Sequence, residues 1–379
     1  MSKNNKIWLS SPHMGGEEQK YISKAFQDNW ISTVGPNITE FENTLEKYLD
    51  ENCNVTVTNT GTSALHLALI LAGVSIGDEV LCQTFTFIAS VNPVLYQGAR
   101  PIFIDSELET WNMCPVKLEE AILSRHAKGR KPKAIIVVHL YGMPAQIDKI
   151  QSIAKKYDIT LIEDAAEALG SSYKGRKCGT FGDFGVLSFN GNKIITTSGG
   201  GALICNGQET KAKAIFLATQ AKDNKHYYEH SELGYNYRMS NISAGVGRGQ
   251  MEVLENHIQS RINMHSFYEE AFENIKGVKI FNAPNCDYVS NYWLTCILID
   301  EDIAGFSNEN LRLQLMEDNI ESRLLWKPMH LQPLFFEEKF YGGNVSEVLF
   351  KKGLCLPSGS NITEVEKLRI KEAIYKVLK

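Results

Sequence analysis

The amino-acid sequence predicts an α/β protein, with a large domain built on a mixed, mostly parallel sheet and a smaller α+β domain after it. From about residue 54 to residue 163, apolar runs of strand length alternate with helical patterns, which is typical of parallel strands joined by crossover helices. After about residue 180 the apolar runs are short and close together, which favours hairpins. A strand, a helix, a strand and a final helix follow from residue 292, and we divide the chain into domains at 1–247 and 248–379.

The individual elements follow from the spacing of apolar residues, which recur every second residue in strands and every three or four residues in helices. The expected strands of the large domain are Asn54–Thr60, Glu79–Gln83, Pro101–Asp105, Ala134–Leu140, Ile159–Glu163, Gly185–Phe189, Ile194–Thr197 and Ala202–Cys205. Its expected helices are Thr62–Ala72, Ala89–Tyr96, Val116–Ala127 and Ile147–Tyr157. A long helix, Ser240–Glu273, is expected to link the domains, and the small domain is built from Tyr292–Ile299, Asn308–Asp318, Ile320–Trp326 and a helix from Thr363.

Composition excludes several classes of protein. The 379 residues are 43% hydrophobic, which is enough for a packed core, and the formal net charge is −5. No run of Lys and Arg marks a nucleic-acid-binding surface. The eight cysteines are scattered singly, as in reduced cytosolic proteins. The N-terminus lacks the apolar segment of a signal peptide, and the longest apolar stretch, Ala64–Val74, is too short to cross a bilayer. We therefore expect a cytoplasmic protein without a membrane or nucleic-acid partner.

Asp164 and Lys193 are the most informative pair of residues, because each lies where an apolar strand pattern ends. Ligands of parallel α/β sheets bind at the carboxyl ends of the strands. A lysine amine can form a Schiff base with the aldehyde of pyridoxal phosphate (PLP), and an aspartate can keep the pyridine nitrogen of that cofactor protonated. Apolar residues flank the lysine on both sides, which suggests a dry pocket with a nucleophilic amine. Each residue also has an ordinary interpretation, as a helix N-cap and as a solvated lysine after a turn.

Two further segments support a phosphate-containing ligand without proving one. Asn59-Thr60-Gly61-Thr62-Ser63 lies between a strand and a helix, where free N–H groups and the helix dipole favour a phosphate. On its own this motif is better explained as an ordinary capped helix. Glu167 follows Asp164 by one helical turn and can reach the phenolic oxygen of the cofactor, or can simply be an acidic residue of the first helical turn.

A competing motif is His226-Tyr227-Tyr228-Glu229-His230, which matches the H-x-x-E-H pattern of one class of zinc metallopeptidases. That chemistry requires the two histidines on one face of a helix. The flanking residues have no helical periodicity, so the sequence favours an aromatic, histidine-bearing loop over a ligand site, and we expect no metal.

The chain resembles the DegT-type nucleotide-sugar aminotransferases from about residue 7 to about residue 360. The resemblance is carried by a series of motifs in this order: SPHMGGEE, TGTSALHLAL, TFTFIASVNPV, IEDAAEALGS, GTFGDFGVLSFNGNKIITTSGGGAL, GYNYRMSN and RLLWKPMH. Among these motifs, SFNGNKIITTSGGG is most similar to the branch that forms UDP-4-amino-4,6-dideoxy-GlcNAc. Each motif is weak alone, and their combination is specific.

The resemblance implies a PLP-dependent transferase of fold type I that works as a homodimer with active sites shared between subunits. It implies that Lys193 is the Schiff-base lysine, whereas a related branch with histidine at this position performs dehydration. The residues it implies for cofactor binding are Gly61, Thr62, Ser63, Phe87, Asp164, Glu167, Ser188 and, from the other subunit, Asn236 or Arg238. The residues it implies for the sugar substrate are Trp30, Ile31, Thr33, Asn190, Arg323 and His330. Many members carry Gln or His where this chain has Glu167.

The implied reaction moves an amino group from L-glutamate to a nucleotide-linked 4-keto-6-deoxy sugar, with pyridoxamine phosphate as the aminated form of the cofactor. The expected acceptor is UDP-4-keto-6-deoxy-GlcNAc, aminated at carbon 4 for a bacterial surface glycan or glycoprotein. Two alternatives predict different behaviour. A zinc hydrolase using His226, Glu229 and His230 would be colourless and bind zinc, and a non-catalytic sugar-nucleotide-binding regulator of the same fold would bind cofactor without turnover.

Overall fold

The secondary structure comprises fifteen strands and thirteen α-helices in residues 5–50 and 52–378, the part of the chain that the computed structural model describes. The strands are β1 Cys53–Thr58, β2 Glu79–Gln83, β3 Arg100–Ile104, β4 Ala134–Val138, β5 Thr160–Asp164, β6 Ser172–Tyr173, β7 Arg176–Lys177, β8 Phe184–Ser188, β9 Gly201–Asn206, β10 Val278–Ile280, β11 Tyr288–Val289, β12 Thr295–Ile299, β13 Arg323–Leu324, β14 Lys339–Tyr341 and β15 Gly353–Leu356. The helices are α1 Glu18–Gln27, α2 Pro36–Leu49, α3 Gly61–Leu71, α4 Asn92–Tyr96, α5 Pro115–His126, α6 Ile147–Tyr157, α7 Gln208–Ala218, α8 Asn241–Glu252, α9 Leu254–Phe272, α10 Glu301–Ala304, α11 Asn308–Glu317, α12 Val345–Lys352 and α13 Glu364–Lys376.

The main sheet has eight strands in the order β1-β9-β8-β5-β4-β2-β3-β14. Its pairs from β8 to β14 are parallel, while β9 runs antiparallel to both of its neighbours. Strand β4 has the sequence AIIVV and is buried along its whole length, because helices cover both faces of the sheet. The mixed, mostly parallel sheet confirms the predicted α/β fold class.

A second sheet of four antiparallel strands, in the order β10-β12-β15-β13, lies in the C-terminal part of the chain. Apolar residues of α9, α11 and α13 pack against it in a separate core cluster. The division into 1–247 and 248–379 stays a prediction. Strand β14 crosses that division, because it belongs to the C-terminal segment but pairs in parallel with β3 at the edge of the main sheet.

Four predicted elements differ from the observed ones by more than their bounds. The expected helix Ala89–Tyr96 is a 3-10 turn, Ile88–Ser90, followed by the short α4. Residues Ile194–Thr197 form no strand but lie in the loop between β8 and β9. The expected long helix Ser240–Glu273 is two helices, α8 and α9, because Val253 leaves the helical conformation with φ −114° and ψ 7°. Of the expected strand Ile320–Trp326, Arg323–Leu324 alone pairs in the small sheet. None of the helices in residues 5–50 and 52–378 is long and apolar enough to cross a membrane.

Candidate active site

A cavity of about 460 Å³ lies at the carboxyl ends of three parallel strands, β4, β5 and β8. The last residues of these strands, Val138, Asp164 and Ser188, line it. This is where a parallel α/β sheet binds its ligands, because the helix N-termini and the connecting loops meet there. The loop between β8 and β9 supplies Lys193 to the same cavity.

The amine of Lys193 is held between an aromatic ring and a carboxylate. Its Nζ atom lies 4.3 Å from the centroid of the Trp293 ring, and a cation above an aromatic face is attracted by the ring's electrons. The same Nζ lies 3.5 Å from Oε1 of Glu167. The Lys193 side chain is 13% exposed, so the amine is largely enclosed but remains open to a ligand in the cavity.

Glu167 is buried against this amine, which gives its carboxyl group unusual proton chemistry. The backbone N–H of Tyr141 donates a hydrogen bond of 2.7 Å to its Oε2 atom. Burial raises the pKa of Glu167, although the positive charge of Lys193 opposes the increase. A carboxyl group with a raised pKa beside an amine can exchange a proton with it.

Asp164 has a different environment, in which both carboxylate oxygens accept hydrogen bonds. The Ser90 hydroxyl donates to Oδ2 at 2.7 Å, and the backbone N–H of Ala166 donates to Oδ1 at 3.1 Å. Thr86 and Ser90 share a further hydrogen bond of 2.8 Å. These contacts fix the orientation of the carboxylate at the cavity wall, as pairing with a protonated ring nitrogen requires.

The start of α3 forms another part of the wall and suits a phosphate. Gly61 and Thr62 are the first residues of this helix, and their N–H groups have no partner within it. A side chain at Gly61 would crowd the strand behind it, since its Cβ would lie 3.1 Å from Ser188 Cβ and 3.2 Å from Leu187 O. The cradle of free N–H groups at a helix N-terminus, with the hydroxyls of Thr60, Thr62 and Ser188, therefore fits the phosphate of PLP.

Many of the predicted site residues meet in this cavity, and the rest do not line it. Those that line it are Gly61, Thr62, Phe87, Asp164, Glu167, Ser188, Asn190, Lys193 and Arg323. Those outside its lining are Ser63, Asn236, Arg238, Trp30, Ile31, Thr33 and His330. The roles of both groups stay predictions.

Ser63 and His330 lie away from the cavity because neighbouring groups of their own chain engage them. The Ser63 hydroxyl donates to Asn59 Oδ1 at 2.7 Å, and its N–H donates to the Thr60 side chain. His330 Nδ1 is 2.7 Å from the Thr84 hydroxyl, and its ring stacks on Phe340 with a centroid distance of 3.9 Å. Neither side chain lines this cavity within one chain, and the binding roles expected for both stay predictions.

The other predicted residues outside the cavity lining have two different environments, and of these Asn236 or Arg238 is expected to reach a partner's site. Trp30, Ile31, Thr33 and Asn236 are exposed at the surface. The Arg238 guanidinium instead forms an ion pair with Glu42 of its own chain and donates to Val57 O at 3.2 Å. Within one chain, Arg238 therefore has a structural ion pair, while the other residues are available to a second copy.

The His226, Glu229 and His230 motif lacks the helix that metallopeptidase chemistry requires, because residues 222–233 are irregular. His230 Nδ1 is 2.9 Å from the backbone oxygen of Gln220. Across residues 5–50 and 52–378, no group of three His, Cys, Asp or Glu side chains is arranged to hold a metal ion.

Sequence reasoning missed several residues of the cavity wall, notably Ser90, Asn192, Trp293 and Trp326. Ser90, Asn192 and Trp326 had a usable signal, because they lie in motifs that carry the family resemblance. Trp293 had none, since a single tryptophan in an apolar stretch is usually a core residue. Phe87, expected to stack on the cofactor ring, is 47% exposed, and its ring centroid lies 5.1 Å from that of Trp326.

A lysine and an aspartate together at the carboxyl ends of such a sheet fit a PLP-dependent enzyme. Residues 12–375 match the sequence model of the DegT/DnrJ/EryC1/StrS aminotransferase family, and the chain belongs to that family. The predicted resemblance and fold type are thereby confirmed, and PLP is the cofactor.

Named relatives cover nearly the whole chain. A putative pyridoxal phosphate-dependent aminotransferase EpsN of Bacillus subtilis is 49% identical over 98% of this chain and 95% of its own length. A GDP-perosamine synthase of Escherichia coli O157:H7 is 37% identical over 97% of both chains. A UDP-4-amino-4,6-dideoxy-N-acetyl-beta-L-altrosamine transaminase of Campylobacter jejuni is 31% identical over 94% of this chain and 93% of its own.

Solved structures agree with these relatives. A DegT DnrJ EryC1 StrS aminotransferase from Brucella abortus superposes with a TM-score of 0.87 at 30% identity, covering 95% of both chains. A putative sugar aminotransferase from Streptococcus pneumoniae in its PLP form superposes with a TM-score of 0.89 at 25% identity, covering 99% of both chains. These findings favour an aminotransferase over both alternatives, the zinc hydrolase and the non-catalytic regulator.

Proposed function

We propose that the protein transfers the amino group of L-glutamate to carbon 4 of a nucleotide-linked 4-keto-6-deoxy sugar. The observation that carries this proposal is the Lys193 amine, enclosed by Trp293 and Glu167 in a cavity that also contains Asp164. Support for the sugar comes from relatives whose names specify a GDP-linked and a UDP-linked amino sugar. The product would serve cytoplasmic synthesis of a bacterial surface polysaccharide or glycoprotein sugar.

Lys193 acts twice in this proposal. When bound, PLP supplies an aldehyde for covalent attachment and a ring that accepts electrons. Lys193 Nζ would hold that aldehyde covalently and would become free when the amine of glutamate takes its place. The freed Nζ would accept the proton of the donor's α-carbon and later release it, which is general acid–base catalysis, and the donor would leave as 2-oxoglutarate. In the second half of the cycle, the same atom moves protons while the ketone of the sugar is aminated.

The two carboxylates divide the remaining work. Asp164, held by Ser90 and Ala166, keeps the ring nitrogen of the cofactor protonated and so maintains its electron demand. Glu167 lies 3.5 Å from Lys193 Nζ and buffers the proton on that amine. Burial raises the pKa of Glu167, which favours uptake of a proton by this carboxyl group and so suits the task.

The substrate side of the cavity includes Asn190 and Arg323. Among the described residues, Lys193 and Arg323 are the cationic side chains that line the cavity. The Arg323 guanidinium forms an ion pair with Glu321 at 2.7 Å. The Arg323 side chain is 62% exposed, so it can meet an anionic group at the mouth of the cavity. We propose that it meets the donor carboxylate or the sugar diphosphate, and that UDP-4-keto-6-deoxy-GlcNAc is the acceptor.

We further propose a homodimer in which each chain completes the other's site. Trp30 and Ile31 are large apolar residues that are 43% and 49% exposed, which is typical of surfaces that a second copy covers. Light scattering on the purified protein tests the assembly. Mixing two inactive variants, Lys193→Ala and Trp30→Ala, and recovering activity in the mixed dimer would support shared sites. A fully active monomer would contradict them.

The acceptor is identified by a panel of UDP-linked and GDP-linked 4-keto-6-deoxy sugars with glutamate as donor. Turnover of the UDP-linked GlcNAc derivative supports the full proposal. If only the GDP-linked sugar is aminated, the proposed reaction stands but the nucleotide of the acceptor is GDP and not UDP. Glutamate consumption without any aminated sugar would refute the acceptor class.

The site assignment is tested with Asp164→Asn and a matched control, Asp183→Asn. Asp183 also accepts a backbone hydrogen bond at the main sheet, from Leu161 at 2.8 Å, but lies outside the cavity. We expect Asp164→Asn to bind PLP yet lose about 10²-fold or more in turnover, the scale of one catalytic group. The control should retain turnover. Full activity of Asp164→Asn would show that its assigned role is wrong.

A further inference from the structure

Trp293 contacts the lysine loop at two points, although it lies about a hundred residues further along the chain. Its indole N–H donates a hydrogen bond of 2.7 Å to the backbone oxygen of Asn192, the residue before the lysine. The face of the same ring lies 4.3 Å from Lys193 Nζ. One buried side chain therefore fixes both the backbone that enters the lysine and the amine at its other end.

Arg261 holds this arrangement from the opposite side. It is 1% exposed on helix α9, and its Nη1 donates to the backbone oxygens of Trp293 at 2.6 Å and Ser358 at 3.1 Å. Its Nη2 donates to the Ser10 hydroxyl at 3.0 Å and makes a longer contact of 3.5 Å with the Lys193 backbone oxygen. The guanidinium thus contacts the backbone oxygens of both Lys193 and Trp293, the tryptophan whose ring lies against the lysine amine.

The chemistry of this contact is unusual for a buried arginine. Arginine is rarely buried without a carboxylate partner, yet Arg261 forms no ion pair with any residue in 5–50 or 52–378. Its acceptors are neutral oxygens from the lysine loop, from the N-terminal segment, and from the segments before β12 and after β15. A rigid fork of donors suits this geometry, because it connects several backbone groups at fixed angles.

We propose that Arg261 is a positioning residue for Lys193 and acts through Trp293. The proposal rests on the proposed role of Lys193 as the covalent and proton-carrying amine. It goes beyond that role by assigning the placement of Nζ to two residues outside the lysine loop. Without the fork, the indole hydrogen bond to Asn192 would hold the lysine loop while the Trp293 backbone lost its own support, and Nζ would spend less time in line with the donor's α-carbon. A displacement of about 1 Å can reduce a rate by about 10²-fold.

Three variants separate positioning from general stability. Arg261→Lys keeps the charge but loses the fork, and Trp293→Phe keeps the aromatic ring but loses the N–H to Asn192. The matched control is Tyr268→Phe on the same helix. Tyr268 is fully buried and donates one hydrogen bond of 2.8 Å to the backbone oxygen of Pro357, without touching the lysine loop. The control therefore removes a comparable buried contact from α9.

The first measurement is hydrogen exchange of the backbone amides in residues 190–197, on the cofactor-free protein. Loss of a hydrogen bond that holds the loop is expected to raise exchange there by roughly tenfold in Arg261→Lys and Trp293→Phe. Tyr268→Phe should leave this segment unchanged. Because no cofactor is present, this result does not depend on turnover.

The second measurement is the half-reaction of the PLP-loaded enzyme with glutamate deuterated at its α-carbon. We expect Arg261→Lys and Trp293→Phe to lower the rate by about 10- to 10²-fold with little change in KM and with a larger isotope effect, because proton transfer becomes slower. Equal exchange and equal rates in all three variants would overturn the proposal. If Arg261→Lys does not fold, Trp293→Phe decides the outcome by both measurements. Borohydride reduction of the wild-type protein, followed by peptide mapping, tests the premise separately, since label away from Lys193 would refute the lysine's role rather than the positioning.

Discussion

Replacing Asn291 with alanine tests the connection between the Glu167 segment and the Trp293 segment. Asn291 is 1% exposed, and its amide donates to the backbone oxygens of Glu167 at 3.0 Å and Leu169 at 2.9 Å. Its Oδ1 accepts from the N–H of Trp293 at 2.8 Å. The substitution leaves three buried backbone groups without these partners. Each unpaired group costs about 1–3 kcal/mol, and entry of water into the vacated space reduces the sum, so we expect a loss of about 3–5 kcal/mol.

The assay is urea denaturation of the cofactor-free protein at a fixed protein concentration, because dimerisation and cofactor binding both change apparent stability. The control is Asn361→Ala, since Asn361 is exposed and its amide bonds to the Ser11 hydroxyl at 3.0 Å. That variant should stay within about 0.5 kcal/mol of the wild type. If Asn291→Ala were no less stable than the control, the three hydrogen bonds would not carry the energy assigned to them.

Three further predictions concern the cofactor, the pH dependence and the core. Gly61→Ala should weaken PLP binding by about tenfold in an absorbance titration, because its Cβ crowds the strand behind it, whereas Gly343→Ala, whose Cβ meets nothing within 4 Å, should not. Burial lowers the pKa of His257 from 6.5 to about 4, so between these pH values the unfolded chain binds more protons and stability falls as the pH drops. His257→Gln should make the melting temperature depend less steeply on pH in this range, and an unchanged dependence would contradict the prediction. Glu79→Gln breaks a buried ion pair with Arg125, at 2.5 Å, and should lower the free energy of unfolding by about 3–5 kcal/mol in urea; a change below about 1 kcal/mol would argue that the pair is well solvated.

The sequence predicts the centre of the main sheet well because burial there leaves a simple pattern. Strands covered on both faces are continuous apolar runs, and β2 has the predicted bounds Glu79–Gln83. The run Ile194–Thr197 has the same β-branched composition, yet the structure uses it as a loop. His257 donates from Nδ1 to the Ile194 backbone oxygen at 3.3 Å, so a distant side chain takes the place of a strand partner. Composition alone cannot reveal that competition.

The helices before the first strand were not predicted, although α2 carries a recognisable start signal. Pro36 lies in its first turn, where the missing N–H of proline has no consequence. The break at Val253 is harder to foresee, because the apolar periodicity continues from α8 into α9. Sequence patterns describe the faces of helices and say little about where a backbone turns between them.

The candidate site was predictable where chemistry and strand ends coincide, as at Asp164 and Lys193. Its supporting residues were not predictable, because they are far from Asp164 and Lys193 in the sequence and meet them only in the folded chain. Ser90 orients Asp164 from the segment after β2, at 2.7 Å, across 74 positions of sequence. Trp293 reaches the lysine loop from the segment before β12. The motif around Ser90 marks its segment but not its contact with Asp164, and no local pattern distinguishes Trp293 from an ordinary core residue.

The two carboxylates of the site illustrate how environment, rather than residue type, separates proposed roles. They belong to one short segment and have similar burial, each 6% exposed. Asp164 accepts two hydrogen bonds, from a hydroxyl and from a backbone N–H, which fix the orientation of its carboxylate. Glu167 has one backbone donor and lies beside the amine of Lys193, and burial raises its pKa. A carboxylate of fixed orientation suits the pairing with a ring nitrogen, whereas a carboxyl group that can be protonated suits the exchange of protons with an amine. A chain with Gln in place of Glu167 would keep the first function and lose the second, so Glu167→Gln should retain PLP and change the pH profile of the glutamate half-reaction. A pH profile identical to that of the wild type would leave Glu167 with a structural role alone.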